Sequence, residues 1–417
     1  MSGRRGVLLR GPILSPRSVD LADSYEDGFV QVDDEGRIAA IGDWREAPND
    51  AGPIVEVGNA LILPTFVDAH VHLPQIDIRA RYGLPLMAWL ERHVFPAEAA
   101  FADTEHAERV AERFFHTLAS NGIGTAGVFA TVHVEATHKA FEVAANSGLR
   151  VVMGKVLMDV NGPPELIEPA DRGIEASLEL AERWEGAAGG RLHTAITPRF
   201  APTSSAALLS HAGQAARRAG LRVQTHLAEQ REEVEIVAGL FPEAADYLAV
   251  YEQYGLVGER SVFAHAIHCT DEAFGRLANA GSAVVCCPTS NAFLGSGSFS
   301  LRRAKRANVQ IGIGSDVGAG PLFSPLDVLR HFAYLDRVEP VELLYRGTLA
   351  GAEALSVSHE TGSLAVGNAA DLVVLEPPVD AVGDPLQRFV QCVFRNPETQ
   401  VMATLVEGRV VYGQLPT

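Results

Sequence analysis

The sequence predicts an α/β protein: a (β/α)8 TIM barrel with a small composite β-sandwich domain formed by both ends of the chain. Between about residues 61 and 355, eight short apolar runs alternate with helical stretches rich in Ala, Glu and Arg. Both flanking regions instead consist of short apolar or alternating runs separated by turns. Eight buried strands that alternate with helices indicate parallel βα units, and eight is the number of strands that closes such a barrel.

The barrel strands are expected at the apolar runs, which are residues 60–67, 122–129, 149–157, 192–196, 221–225, 261–264, 282–286 and 309–313. Helical patterns cover residues 105–119, 174–185 and 205–219 between them. A doubly wound open sheet is the alternative, but such sheets usually have fewer strands and a Gly-rich turn after the first. We therefore expect residues 61–361 to form the barrel and to carry the catalytic site.

The two ends of the chain, residues 1–60 and 362–417, are expected to fold together as the β-sandwich domain. Its N-terminal strands are expected at residues 5–14, 28–32 and 37–41, with turns at Gly36 and Gly42, because glycine accepts positive φ. The C-terminal runs of the same texture are residues 370–375, 390–395, 401–406 and 409–412. Gly408 lies between the last two runs as a hairpin turn.

The composition restricts the class of partner. The net charge is −18, from 34 basic and 52 acidic side chains, whereas binding to a phosphate backbone requires a basic surface. A nucleic-acid partner is therefore not expected, although a single nucleobase, which carries no phosphate, is compatible with this charge. No apolar run reaches the roughly 18 residues of a membrane span, and the apolar stretch before Arg10 is too short for a signal peptide. We therefore expect a cytoplasmic protein with no membrane partner.

The four cysteines agree with that compartment. Cys269, Cys286, Cys287 and Cys392 show neither CxxC nor disulfide-framework spacing. The adjacent pair ends an apolar run and is expected to be buried as small hydrophobic side chains. A catalytic thiol is the alternative.

The segment His70-Val71-His72 is the first candidate for a metal site. With 14 histidines in 417 residues, about half of one HxH pair is expected by chance, so the motif alone is weak. Its position is more informative, because it follows an apolar run and the C-terminal ends of barrel strands form the catalytic face. Alternate residues of an extended segment point the same way, so both side chains can reach one ion. Two histidines bonded to backbone carbonyls are the alternative.

His226 ends a second apolar run, residues 221–225, and Glu229 follows three residues later at a predicted helix start. A carboxylate at that distance can lie near a metal without binding it, as a group that moves protons between water and substrate must. Taken alone, Glu229 is better explained as an acidic first-turn residue that the helix dipole stabilises.

Two further strand ends carry candidate residues. His265 ends the run 261–264, with His268 three residues later, and Asp316 follows the run 309–313. An isolated Asp in such a position is commonly a helix N-cap. The glycines around Asp316 miss the GxGxxG spacing, which argues against a dinucleotide loop.

The candidates gain weight as a group, because they occupy the ends of predicted strands one, five, six and eight. Random scatter would seldom place so many potential ligands on one rim. Closure of the barrel makes strands one and eight neighbours, so Asp316 is expected beside His70 and His72.

These motifs resemble those of the amidohydrolase superfamily and, within it, the guanine deaminases. The similar segments are residues 64–75, 81–98, 198–203, 225–229, 287–297, 314–320 and 362–371. The likeness to guanine deaminases rests chiefly on Pro74-Gln75, the tract from Trp89 to Pro96, and Arg199-Phe200. Three departures from the usual pattern, Thr65, Ser315 and Asn368, avoid the ligand positions but leave room for a different substrate.

The resemblance implies one Zn2+ per subunit, with Fe2+ and Mn2+ as alternatives that His/Asp sites also bind. The implied metal ligands are His70, His72, His226 and Asp316. Glu229 is implied as the proton shuttle, and His265 as a residue that contacts the reactive water beside the metal. Gln75, Arg199 and the backbone of Phe200 are implied to hold the purine. For Arg199, a structural ion pair is the alternative role.

The function implied is hydrolytic deamination of guanine to xanthine and ammonia, performed by a homodimer. Within the same class, the alternatives are deamination of 8-oxoguanine, a pterin or an aminotriazine, and dechlorination. From another class, the alternative is a catalytically inactive barrel that serves as a binding protein. Such a protein is expected to lack ligands or the shuttle, yet Glu229 and all four ligand positions are present.

Overall fold

The computed structural model describes residues 6–48 and 52–416, whose strands form two sheets. In chain order the strands are β1 (Val7–Pro16), β2 (Ala22–Val32), β3 (Ile38–Asp43), β4 (Ile54–Glu56), β5 (Leu61–Pro64), β6 (Phe66–His72), β7 (Ile123–Phe129), β8 (Arg150–Gly154), β9 (Val156–Leu157), β10 (Leu192–Pro198), β11 (Arg222–Leu227), β12 (Ser261–His265), β13 (Ala283–Cys286), β14 (Gln310–Ile313), β15 (Leu372–Glu376), β16 (Gln400–Val406) and β17 (Arg409–Gly413).

The helices alternate with the strands of the middle region and recur near the C-terminal end. Those of the middle region are Leu86–Trp89, Phe95–Ala99, Thr104–Ser120, Val134–Ser147, Ala170–Trp184, Ala187–Gly190, Ala206–Ala219, Arg231–Leu240, Tyr247–Gln253, Asp271–Asn279, Pro288–Phe293, Leu301–Ala307 and Pro325–Ala333. The later ones are Pro340–Gly347, Leu349–Ala354 and Pro385–Phe394.

One sheet is the barrel, with strand order β6-β7-β8-β10-β11-β12-β13-β14 and β9 paired with β10. The pairs from β8 to β14 run parallel, as βα units require. Backbone hydrogen bonds between the end of β6 and the segment after β14 bring the last strand back to the first. The predicted barrel is therefore confirmed.

The other sheet is built from both ends of the chain, as predicted, in the order β17-β16-β15-β5-β1-β2-β3, with β4 paired with β1. A single hydrophobic cluster draws side chains from both ends, including Leu9, Val30, Leu372 and Leu405, each at most 1% exposed. Gly408 turns the chain between β16 and β17 with φ 68°. Because the preceding Glu407 also has a positive φ, the turn matches the twist of the hairpin.

Three local expectations are wrong. The predicted strand 60–67 divides into β5, which pairs with β15, and β6, which enters the barrel, because Pro64 has no N–H to continue a ladder. Residues 390–395 lie in the helix Pro385–Phe394, whose start is stabilised by a reciprocal capping box between Asp384 and Gln387. Gly42 lies inside β3 rather than in a turn, whereas Gly36 turns the chain with φ 79°.

By contacts between Cα atoms, the chain divides into two compact units. One covers the chain up to Asp68, His116–Thr125 and the chain from Ser324 onward, and the other covers Ala69–Phe115 and Ala126–Phe323. The predicted domain boundaries, 1–60 with 362–417 and 61–361, stay a prediction. All four cysteines are buried, and within the described residues they form no disulfide bond. Among the described residues, every helix is too short or too polar to cross a bilayer.

Candidate active site

Four of the predicted residues converge at the C-terminal end of the barrel strands. His70 and His72 lie at the end of β6, His226 near the end of β11, and Asp316 just after β14. The Asp316 Oδ1 atom is 3.3 Å from His70 Nε2 and 3.2 Å from His72 Nε2, and His72 Nε2 is 3.2 Å from His226 Nε2. One ligand atom from each of the four residues lies within 4.8 Å of the others, and all four side chains are buried.

The Nε2 atoms of His72 and His226 face each other within this cluster. The Nδ1–H of His226 donates to the main-chain carbonyl of Arg199 at 2.7 Å, so the neutral ring directs the lone pair of Nε2 towards His72. Burial lowers the pKa of His72 to about 3 and that of His226 well below its ordinary value, which makes both rings neutral at pH 7. A cation between the two Nε2 atoms could bind both of them.

The spacing fits a metal ion. A tetrahedral Zn2+ with bonds of about 2.1 Å to nitrogen holds its ligand atoms about 3.4 Å apart. The three distances of 3.2–3.3 Å within the cluster are close to that value. Three imidazoles and one carboxylate are also a ligand set that divalent transition metals bind.

Asp316 is held by contacts to both of its carboxylate oxygens. Oδ1 faces the two histidines of β6, while Oδ2 accepts a hydrogen bond of 2.5 Å from Ser290 Oγ and lies 3.8 Å from His265 Nε2. Burial alone would raise the pKa of Asp316, but the adjacent side chains of His70 and His72 outweigh it and hold that pKa well below its ordinary value. The carboxylate is therefore ionised, as a metal ligand requires.

Glu229 and His265 form a second group around the same aspartate. The Oε2 atom of Glu229 is 3.4 Å from His265 Nε2, and Ser296 Oγ donates to Oε1 at 3.3 Å. The other ring nitrogen of His265, Nδ1, lies 3.0 Å from the amide oxygen of Asn291, so Nδ1 carries the proton and Nε2 the lone pair. Burial, together with the charges of Asp316 and Glu233, raises the pKa of Glu229 well above its ordinary value. A carboxyl group with a raised pKa takes up a proton more readily than an exposed one, as a group that transfers protons must.

The backbone at these positions is strained. His265 and Asp316 have φ of 70° and 50°, and Ala228, next to Glu229, has φ of 47°. Residues other than glycine seldom adopt this region, at a cost of about 1–3 kcal/mol each, and they persist where the surroundings impose the conformation. Strain of this kind concentrates at active sites, which agrees with the positions of His265 and Asp316 in this cluster.

The loop that carries Glu229 is held in place by Glu233, a fully buried residue that is not among the predicted site residues. Its Oε2 accepts hydrogen bonds from the backbone N–H groups of Glu229 and Gln230, and its Oε1 accepts one of 2.7 Å from Tyr247 Oη. Tyr251 Oη, one helical turn further, donates to the carbonyl oxygen of His226 at 2.8 Å. The capping-box spacing between Gln230 and Glu233 could have predicted from the sequence that Glu233 holds this helix start.

A narrow cavity opens onto the cluster, with about 20 Å3 of space for the centres of water-sized spheres. Its apolar wall comes from the segment after β6, which includes a π-helical turn at Leu90–Val94, a feature frequent at functional sites. The lining residues are His72, Gln75, Leu86, Trp89, Leu90, Arg199, Phe200, His226, Glu229, Leu294, Asp316 and Ala319.

The three predicted substrate residues, Gln75, Arg199 and Phe200, all line this cavity and are buried. Arg199 also forms the ion pair considered as its alternative role, because its Nη1 lies 2.7 and 2.8 Å from the two carboxylate oxygens of Glu98. Within the described residues, Nη1 is the donor in all hydrogen bonds of this guanidinium. The N–H groups of Nε and Nη2 are therefore available to donate to a ligand. Glu98 belongs to the tract that resembles the guanine deaminases. A single acidic residue in an apolar segment could have indicated from the sequence that Glu98 has a specific role.

The fold and this site define a class of protein. The model of the amidohydrolase family matches residues 61–411, and the chain belongs to that family. The relatives are more specific. The guanine deaminase of Escherichia coli (strain K12) is 38% identical over 398 residues, which cover 93% of this chain and 89% of the relative.

Solved structures give the same result. The structure of E. coli guanine deaminase superposes with a TM-score of 0.92 at 35% identity, covering 98% of this chain and 99% of that one. Guanine deaminase from C. acetobutylicum, solved with guanine bound in the active site, gives 0.91 at 26% identity, covering 98% and 100%. An adenosine deaminase from Xanthomonas campestris with bound zinc gives 0.86 at 25% identity, covering 98% and 93%. The predicted resemblance to amidohydrolases, and to guanine deaminases within them, is confirmed.

Proposed function

We propose that this chain is a metal-dependent aminohydrolase that converts guanine and water to xanthine and ammonia. The observation that carries the proposal is the convergence of the His/Asp cluster, a buried Glu229 and the donor-bearing Gln75 and Arg199 on one cavity. Relatives named guanine deaminase that cover most of the chain support the same activity.

We propose Zn2+ as the metal, held by His70, His72, His226 and Asp316, with Fe2+ and Mn2+ as alternatives. When bound, the ion supplies a Lewis acid that lets water act as a nucleophile near neutral pH. Support for zinc comes from the ligand spacing and from the zinc-bound adenosine deaminase with the same fold. The three histidines and the aspartate carry one net negative charge, which suits a divalent cation.

Glu229 is proposed to move the protons. Its carboxylate accepts a proton from the attacking water as the oxygen adds to C2 of guanine, and passes that proton to the adjacent ring nitrogen. A second proton transfer converts the exocyclic amine at C2 into ammonia, and the C2–N bond breaks as xanthine forms. His265, with its Nε2 lone pair 3.4 Å from Glu229 Oε2, is proposed to orient the water by accepting one of its hydrogens.

Arg199 and Gln75 are proposed to orient the purine. The unengaged N–H groups of the Arg199 guanidinium suit the carbonyl oxygen at C6 of guanine, because guanidinium only donates. Adenine presents an amino group at that position, so two donors would face each other. Phe200 is proposed to complete this wall. Its own carbonyl accepts a 3.0 Å hydrogen bond from Ser204 Oγ, which holds the backbone in place.

We also propose that the protein is a homodimer in the cytoplasm. Sedimentation velocity of the purified protein measures the first property, and a peak at the mass of the single chain would contradict it. Fractionation of the source cells with an antibody to the chain measures the second.

The experiment that tests the activity follows ultraviolet absorbance as purified, metal-loaded protein is mixed with guanine, with ammonia measured in parallel. Equal amounts of xanthine and ammonia are expected from guanine, and neither product from adenine. Parallel reactions with 8-oxoguanine, a pterin, an aminotriazine and a chlorotriazine distinguish the alternative substrates. Turnover of any of these in preference to guanine would replace the proposed substrate, and binding without turnover would favour a binding protein.

A further inference from the structure

Glu98 connects the two side chains that are proposed to orient the purine. It lies in the helix Phe95–Ala99 and is 0% exposed. Its two carboxylate oxygens accept hydrogen bonds of 2.7 and 2.8 Å from Arg199 Nη1, and Oε1 also accepts one of 3.2 Å from Gln75 Nε2. One carboxylate therefore holds two cavity-lining donors that are 124 residues apart in the chain.

The contacts of Glu98 also decide which way the Gln75 amide points. While Nε2 donates to Glu98, the amide oxygen Oε1 accepts the N–H of Gly318 at 3.3 Å. The carboxylate cannot donate, so the reverse orientation would place two oxygens together. The second hydrogen on Nε2 is then left for a ligand, and Gln75 joins Arg199 in presenting a donor rather than an acceptor.

Glu98 has a second effect, on charge. Arg199 is 3% exposed, and a buried guanidinium without a counter-ion strongly attracts anions. The adjacent carboxylate cancels that charge while leaving the remaining N–H groups as donors. The cavity wall is thus suited to a neutral ligand with a carbonyl oxygen and poorly suited to an anion of the same shape.

We propose that Glu98 is a positioning residue that makes this site selective for neutral oxopurines, by orienting Gln75 and Arg199 as donors and cancelling the charge of Arg199. The proposal rests on the proposed function and goes beyond it, since it explains how the product leaves. Xanthine, with two carbonyl groups that stabilise the anion, loses a proton more readily than guanine. A wall with no net charge therefore releases the ionised product while it still binds the neutral substrate.

The test compares the variants Glu98→Gln and Glu98→Asp with the wild type, and with Glu91→Gln as a control on an exposed residue of the same segment. Three quantities are measured for each protein: kcat and KM for guanine, and the inhibition constant of urate, a purine that is an anion at neutral pH. For Glu98→Gln, we expect KM for guanine to rise about tenfold, with a smaller change in kcat. Residues that hold a ligand-binding side chain in position typically contribute about 10–100-fold to affinity or activity.

The decisive result is that Glu98→Gln should bind urate about threefold or more tightly than the wild type, since it leaves the charge of Arg199 uncompensated. A residue that merely supported the fold would weaken the binding of both purines. Glu98→Asp keeps the charge but moves it, so we expect a higher KM for guanine with urate inhibition unchanged. If urate inhibits the Glu98→Gln variant as strongly as the wild type, or more weakly, the proposal is overturned.

Two further measurements keep the test decisive. If Glu98→Gln does not fold, two other variants replace it in the comparison. These are Glu98→Asp and the double variant Glu98→Gln/Arg199→Gln, which removes both charges. Weaker inhibition of the Glu98→Asp protein by urate overturns the proposal. Direct binding of urate by calorimetry does not depend on turnover. If the wild type does not deaminate guanine, the proposed function fails, while the calorimetric comparison still reports on Glu98.

Discussion

The backbone N–H of Asp316 donates a hydrogen bond of 2.9 Å to the carbonyl oxygen of His70. This bond joins the segment after the last barrel strand to the end of the first, and the N–H of His72 makes a matching bond of 2.9 Å to the carbonyl of Val317. Barrel closure and assembly of the proposed metal site are therefore the same contact. Whatever disturbs the approach of these two segments should weaken metal binding.

Gly314 permits that approach, and its replacement by alanine should disturb it. A Cβ at this position would lie 2.8 Å from His70 Cβ and 2.9 Å from His70 O. We expect Gly314→Ala to lower the free energy of unfolding by about 1–3 kcal/mol, as overpacking does, and to weaken metal affinity. Chemical denaturation and metal titration measure the two effects. Gly275→Ala is the control: it lies in a helix with open space around it and should raise stability by about 0.5–1 kcal/mol. Equal behaviour of the two variants would contradict the prediction.

Glu229→Gln should separate catalysis from metal binding. The amide keeps the shape of the side chain but cannot accept the proton of the attacking water, so kcat should fall about 10²–10⁴-fold. Metal content per chain should stay at the wild-type value, because Glu229 is outside the His70, His72, His226 and Asp316 cluster. Ammonia release and elemental analysis measure these two quantities. Glu232→Gln, an exposed acid three residues on, should change neither. Loss of metal together with activity would show that Glu229 is a ligand instead.

Removal of the metal should destabilise the fold, because the binding free energy of an ion held by the folded chain alone is then lost. Adding Zn2+ to chelated protein, at a free concentration about 100 times the dissociation constant, should stabilise it by about 2.7 kcal/mol. Asp316→Asn should lose most of this response, and the exposed Asp34→Asn should keep it. The shift of the unfolding midpoint on addition of Zn2+ is the measurement. An equal shift in both variants would place the bound ion elsewhere.

His133 should contribute to acid sensitivity. Burial, and then the charge of Lys155, lower the pKa of this histidine in the folded protein. The unfolded chain binds a proton below about pH 6.5 while the folded one does not, so stability is present above that pH and is lost as the pH falls towards the folded pKa. The slope is at most about 1.4 kcal/mol per pH unit. Denaturation between pH 7 and pH 5 should therefore show a flatter profile for His133→Asn. Replacement of the exposed His359 by Gln should leave the slope unchanged.

Much of the fold was predictable because its signals are local. Every predicted barrel strand overlaps an observed one, since a buried parallel strand is a continuous apolar run bounded by turns. The terminal sheet was predictable for a similar reason. The failures are also instructive. Residues 390–395 are apolar enough for a strand, but the capping box at Asp384 begins a helix, and Pro64 divides a run that looks continuous.

The candidate site was also only partly predictable from the sequence. The sequence by itself determined that His70, His72, His226, His265 and Asp316 end strands, and barrel closure then required them to share one rim. Only the tertiary structure decided which atoms face one another. It turned His265 towards Glu229, paired Arg199 with a glutamate 101 residues away, and placed Glu233 behind the loop of Glu229. The reason is physical: periodicity reports whether a side chain is buried, whereas its partner across the barrel depends on how distant segments pack.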